Sequence, residues 1–135
     1  MQELLNQFWE AKIASFQMDL IKGNLTFILD MMSSGIITTR RISFLCVDAF
    51  LYLEPSTEDI NDSIKYDRLT TIVSLHFSDS GILNTEIVDI WKQTNKGTFN
   101  FAVELEVGVI YIASRRIKID DAEFTVHVSP LVTKD

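Results

Sequence analysis

The sequence predicts a mainly β fold, an antiparallel β-sandwich or partly closed barrel of about eight strands with a short N-terminal helix. Three observations carry this reading. Apolar and polar residues alternate over residues 12–31 and 99–128, the period of a strand with one buried face. Groups rich in Gly, Asn, Asp and Ser break that alternation roughly every 8–15 residues. Helical and strand patterns do not alternate, so crossover helices over a parallel sheet are not indicated. The 135 residues and 47% apolar content suit one domain, residues 1–135, with its own core.

Residues 2–9 read as a helix with Leu4, Leu5, Phe8 and Trp9 on one side. Two turns do not stand alone, so this helix is expected to lie as a lid on a sheet face or edge, or to meet a partner. Ala14, Phe16, Met18 and Leu20 share a strand face, with Ile13 out of phase. After Lys22-Gly23-Asn24, the face of Leu25, Phe27, Leu29 and Met31 completes a hairpin. Ser33-Ser34-Gly35 is the next break. The run from Ile36 to Glu54 is apolar on both faces, with Leu45, Val47, Ala49, Leu51 and Leu53 opposite Ile42, Phe44, Cys46, Phe50 and Tyr52. Such a strand is covered on both sides. Residues 56–67 read as an acidic loop and 68–78 as a strand ended by a turn at Asp79-Ser80-Gly81. Residues 82–92 fit either period; Asn84-Thr85 favour a strand. A three-stranded meander closes the chain. Phe99, Phe101, Val103, Leu105 and Val107 face in, while Asn100, Glu104 and Glu106 face out. Turns at Gly108 and Asp120-Asp121 then lead to Phe124, Val126 and Val128.

The net charge of −7 and the small basic clusters, Arg40-Arg41 and Arg115-Arg116-Lys118, argue against nucleic-acid binding. No apolar run approaches the ~20 residues of a membrane helix. The N-terminus carries Glu3 and Glu10 and lacks a basic start before a long apolar stretch, so no signal peptide is expected and a cytoplasmic location is. The single cysteine, Cys46, makes no intrachain disulfide or thiolate-rich metal site and is expected as a small buried filler. The glycosylation patterns at Asn24 and Asn61 are read as chance.

No phosphate loop, zinc spacing, nucleophile elbow or calcium loop occurs, so neither catalytic residues nor a cofactor is expected. His76 and His127 could hold a metal with Glu104 or Glu106 only if their strands were neighbours; otherwise they are solvated. Asp48 is the one charge between Ile42 and Leu53. A carboxylate there is either a functional group in a pocket or a bulge residue paired with Arg40, Arg41 or Arg115. Glu58, Asp59 and Asp62, with Asp67, could bind a hard cation, face a basic partner or be solvated. Trp9 and Trp91 are interface candidates by residue type, or core residues.

The stretch FWEAKIASFQMDLIKGNLTFIL, residues 8–29, resembles the start of small uncharacterised bacterial proteins of the YxiG-like type. FAVELEVGVIYIASRRIKI, residues 101–119, resembles their usual end, a phenylalanine-led strand, a glycine turn and a strand of alternating isoleucines. Glu10 stands where some relatives carry an aspartate. These proteins overlap in pattern with proposed immunity proteins of bacterial toxin systems. The resemblance carries over no catalytic residue. It implies a non-enzymatic role in a bacterium, with toxin neutralisation as a candidate.

Three functions follow as expectations. The first is a protein-binding domain, an immunity-type inhibitor being its most concrete form. The second is a small-molecule carrier or enzyme with a pocket near Asp48. The third is an accessory protein that self-associates through its strand edges.

Overall fold

The computed structural model describes residues 1–53, 71–82, 99–106 and 108–127. The elements are α1 (Gln2–Asn6), β1 (Lys12–Asp19), β2 (Asn24–Ser33), β3 (Ile36–Leu53), β4 (Ile72–Ile82), β5 (Phe99–Leu105), β6 (Gly108–Ile119) and β7 (Ala122–Thr125). They form one antiparallel sheet in the order β1-β2-β3-β6-β5-β4, with β7 also paired to β6. The predicted class stands, with seven described strands in a sheet that is not closed. Trp91 and the ambiguous stretch 82–92 lie outside the described residues, apart from Ile82 at the end of β4.

The long strands β3 and β6 organise the molecule. The first part of β3 pairs with β2, and β3 pairs with β6 from Ile42 to Leu53. One edge of β6 serves two strands: residues 108–112 pair with β5 and residues 116–119 with β7. The sheet therefore branches near Ser114. It also folds back on itself, which brings Phe44 of β3 to 5.0 Å from Phe101 of β5, ring centre to ring centre. Phe27 lies edge-on to Phe44 at 6.0 Å, and Phe77 adjoins Phe101 at 5.1 Å. Leu25, Leu29, Ile42, Leu75, Val103, Ile112 and Ile117 fill the same core. A second apolar cluster, Phe99, Ala102, Tyr111 and Ala113, packs with Ala49, Leu51 and Leu53. Apolar residues on both faces of β3 are thus used, as the sequence predicts.

Bends in a sheet need irregular backbone, and here they fall where the alternation fails. Ala14 is an extra residue between the pairs Ile13↔Leu29 and Ser15↔Ile28. That bulge lets both Ile13 and Phe16 reach the core, which accounts for Ile13 being out of phase. Asp48 is extra between Val47↔Ser114 and Ala49↔Ala113. Two residues earlier, Cys46 has φ 52, a left-handed conformation unusual for a side-chain-bearing residue. Cys46 is exposed, which corrects the expectation of a buried filler: the kink turns its side chain out of the core, toward Arg116 Nη2 at 3.4 Å. The expected turn at Asp79-Ser80-Gly81 is also corrected. These residues lie inside β4, where the register shifts between Phe77↔Phe101 and Ile82↔Phe99. Gly81, at φ 95, supplies the backbone that this irregularity needs.

The helix is shorter than predicted, ending at Asn6, and it acts as a lid. Leu5 of α1, and Phe8 just beyond it, are fully buried. The Gln2 amide treats the rim of β4 as a strand would: Nε2 donates to the Leu75 carbonyl at 2.7 Å and Oε1 accepts from the Phe77 N–H at 2.7 Å. Glu10 N–H donates to the Ile72 carbonyl, and Ile72 N–H to the Ala11 carbonyl, beside a bridge between Lys12 and Thr71. An edge that invites pairing is thereby covered at these positions.

Gly108 opens β6 opposite Leu105, so it is the first paired residue of that strand, and Val107 before it lies outside the described residues. A Cβ at Gly108 would lie 2.6 Å from the Leu53 carbonyl oxygen and 2.8 Å from the Tyr52 ring. Backbone cannot yield as a side-chain tip can. Gly108→Ala is expected to cost about 1–3 kcal/mol, read as a lower urea midpoint at unchanged slope.

Candidate functional site

Three groups of polar side chains are candidate sites, each placed by the strands that carry it. The first lies on β4 and β5, where Ser74 pairs with Glu104. Ser74 Oγ is 2.7 Å from Glu104 Oε2 and 2.9 Å from His76 Nε2. Trp9 leans edge-on against His76 at 6.0 Å and is 44% exposed. A carboxylate can only accept, so the Ser74 hydroxyl donates to Glu104 and His76 Nε2 must donate to Ser74. An activated serine needs the opposite, an imidazole accepting the hydroxyl proton. In this hydrogen-bonding state the cluster is an ordered surface network, not a nucleophile and base.

His127 lies beyond β7, which pairs with β6, while β4 pairs with β5. The two histidines are therefore not on neighbouring strands, the condition for their sharing a metal. The His127 carbonyl instead accepts from Asn100. Among the described residues no three His, Cys, Asp or Glu side chains converge as a metal site. Glu58, Asp59 and Asp62, with Asp67, lie outside the described residues.

The second group surrounds the β6–β7 turn. Arg40 Nε meets Asp120 Oδ2 at 2.6 Å, and its guanidinium lies over the Phe8 ring at 4.9 Å. Arg41 N–H donates to Asp120 Oδ1. Burial pushes the Asp120 carboxyl up and is the largest single influence. The Arg41 N–H, the Arg40 hydrogen bond and the Arg40 charge together outweigh it, so the carboxyl sits below its ordinary value. A depressed folded-state pKa gives stability that is present above the unfolded value, about 4, and lost as pH falls through the folded one. Asp120→Asn, which keeps a residue tolerant of the φ of 51 found there, should thus be less stable than wild type at neutral pH. The gap should narrow on acidification below about pH 4, as thermal melts across pH would show.

The third group is centred on Asp48. As the extra residue of a bulge, it turns outward and meets Arg115 Nε through Oδ2 at 3.1 Å. The side chains of Asp48 and Arg115 are 45% and 67% exposed. Asp48 thus has one of the partners proposed from sequence, in a solvated pair. The β1–β2 turn docks beside it: Val47 N–H donates to the Gly23 carbonyl at 2.9 Å, and Asp19 Oδ1 accepts from the N–H groups of Ile21 and Lys22. Between turn and bulge runs a groove of about 280 Å³, walled by Met18, Leu20, Leu25, Val47, Ala49 and Phe50. Its charged walls are Asp19 and Asp48. Leu20 in this groove is 77% exposed, and Ile21, on the outer side of the turn, is 98% exposed. Periodicity assigned Met18 and Leu20 to a buried face, and so passed over this surface. The signal that could have found it is two aliphatic residues set directly before the Lys22-Gly23-Asn24 turn.

These features define a small curled antiparallel β domain with a helical edge lid and an apolar groove bordered by carboxylates. Residues 1–124 match the YxiG-like protein family, and the chain belongs to that family. No curated protein and no solved structure matches it. No helix among the described residues is long and apolar enough to cross a membrane.

Proposed function

We propose that this YxiG-like protein is a non-catalytic protein-binding domain, with immunity-type inhibition of a bacterial toxin as its most concrete form. The observation that supports this reading is the exposed apolar surface of Met18, Leu20 and Phe50 in the groove at the Asp48 bulge, with Ile21 exposed on the adjoining turn. Hydrophobic side chains this exposed, grouped at one groove, are typical of a surface that meets another protein. Inhibition of this kind acts by covering a partner's surface, which requires shape, apolar contact and charge but no reacting group. Affinity capture with the intact protein should recover a saturable partner, and a recovered toxin should lose activity when the two are mixed. Repeated capture without a partner would defeat the proposal. A discrete increase in mass on size-exclusion chromatography of the protein alone would favour self-association instead.

A further inference from the structure

We infer that the groove between the β1–β2 turn and the Asp48 bulge receives a segment that is both apolar and basic. This deepens the protein-binding reading and rests on it. Apolar contact comes from Met18, Leu20 and Phe50 along the groove, with Ile21 next to Leu20 on the outer side of the turn. The charge comes from Asp19 and Asp48, both acidic, in a chain of net charge −7. The two carboxylates differ in what they can offer. Asp19 Oδ1 already holds the turn through two backbone N–H groups. Asp48 is held by Arg115 through Oδ2, and among the described residues no hydrogen bond reaches its Oδ1.

The Asp48–Arg115 pair is solvent-exposed on both sides. Such pairs contribute little to stability and exchange partners readily. A lysine or arginine from a docking segment can therefore bind Oδ1, or displace Arg115, while apolar residues beside it enter the groove. The bulge explains why the carboxylate points there: one inserted residue turns Asp48 away from the strand ladder. Lys22 and Arg115 are the neighbouring cations. Lys22 borders the outer side of the turn, and neither lines the groove between turn and bulge.

The test is an amide-resolved NMR titration of the intact protein with three short synthetic peptides, alternating Leu–Lys, Leu–Glu and Gly–Lys. Leu–Lys should shift the amides of residues 18–23 and 47–50 saturably, with the other two much weaker. Asp48→Asn should weaken Leu–Lys roughly two- to fivefold, as expected for one exposed charge pair. The double variant Leu20→Ser with Ile21→Ser removes side chains outside the core and should weaken it about tenfold. Equal binding of Leu–Glu or Gly–Lys, an unaltered affinity in Asp48→Asn, or shifts mapping elsewhere would overturn the inference. Leu–Lys binding at the groove with no natural partner ever captured would defeat the broader function and leave the groove chemistry standing. A captured partner that binds the double variant as tightly as wild type would remove the groove and leave the function standing.

Discussion

Phe44→Ala should lower stability by about 3–5 kcal/mol, the usual cost of emptying a large aromatic site in a packed core. Phe44 is fully buried and joins the two halves of the folded sheet. Its ring touches Phe27 of the neighbouring β2 on one side and Phe101 of β5, across the core, on the other. Truncation therefore removes more than apolar area. It opens a void where the sheet folds over, and surrounding rings held by their own strands can fill it only in part. Domains of this size are stable by roughly 5–15 kcal/mol, so the variant would be near its folding limit. Chemical denaturation should show a large fall in midpoint, and Phe44→Leu should recover most of it, since a leucine refills much of the volume. A loss below about 1 kcal/mol would mean that the edge-to-face Phe27–Phe44–Phe101 contacts do not hold the two halves together.

Much of this core was legible because strand periodicity reports burial wherever the backbone stays regular. Leu25, Phe27 and Leu29 are buried in alternation as read, and Phe101, Val103 and Leu105 are buried as read although β5 is covered on its other face as well up to Val103. Periodicity failed where the register shifts. Cys46 was assigned to a buried face because the count through Leu45–Asp48 assumed an unbroken strand, while the structure places a left-handed residue and a bulge there. Both features respond to tertiary bending, which local propensity does not encode. Ile13 is an irregularity legible in the sequence, as an apolar residue out of phase, and it marks the bulge at Ala14, just as the lone charge of Asp48 marks the bulge in β3. The site was less legible than the core. Asp48 stood out as an unexplained charge, yet its outward turn required the bulge. The groove required knowing that the β1–β2 turn lies against β3. The Ser74–Glu104 contact likewise depends on the β4–β5 register, which sequence alternation alone leaves open.

Asn100 is the most consequential misreading, and it sets the second large expectation. Alternation placed it outward, but it is fully buried. It lies where the edge of β6 passes from β5 to β7, a place where regular strand pairing lapses. Its side-chain amide substitutes for the missing ladder: Nδ2 donates to the Ser114 carbonyl at 2.8 Å and Oδ1 accepts from the Ser114 N–H at 3.0 Å. Nδ2 also donates to the His127 carbonyl, so one side chain ties β5, β6 and the end of the β7 segment. Ser114 Oγ extends the node to the Leu45 and Arg116 carbonyls. Asn100→Ala would leave a backbone N–H and carbonyls without partners in the interior. At about 1–3 kcal/mol for each buried group left unsatisfied, and with water able to reach some of them, the expected total is about 2–4 kcal/mol. Asn100→Leu, which keeps the volume, should not rescue it, whereas a cavity effect would be largely rescued. Hydrogen exchange adds a local readout: the amides of Ser114 and Val126 should lose protection before those of β2, because the change releases the branch point and not the whole sheet. Uniform loss of protection in both regions would instead mean that the branch and the core open as one unit.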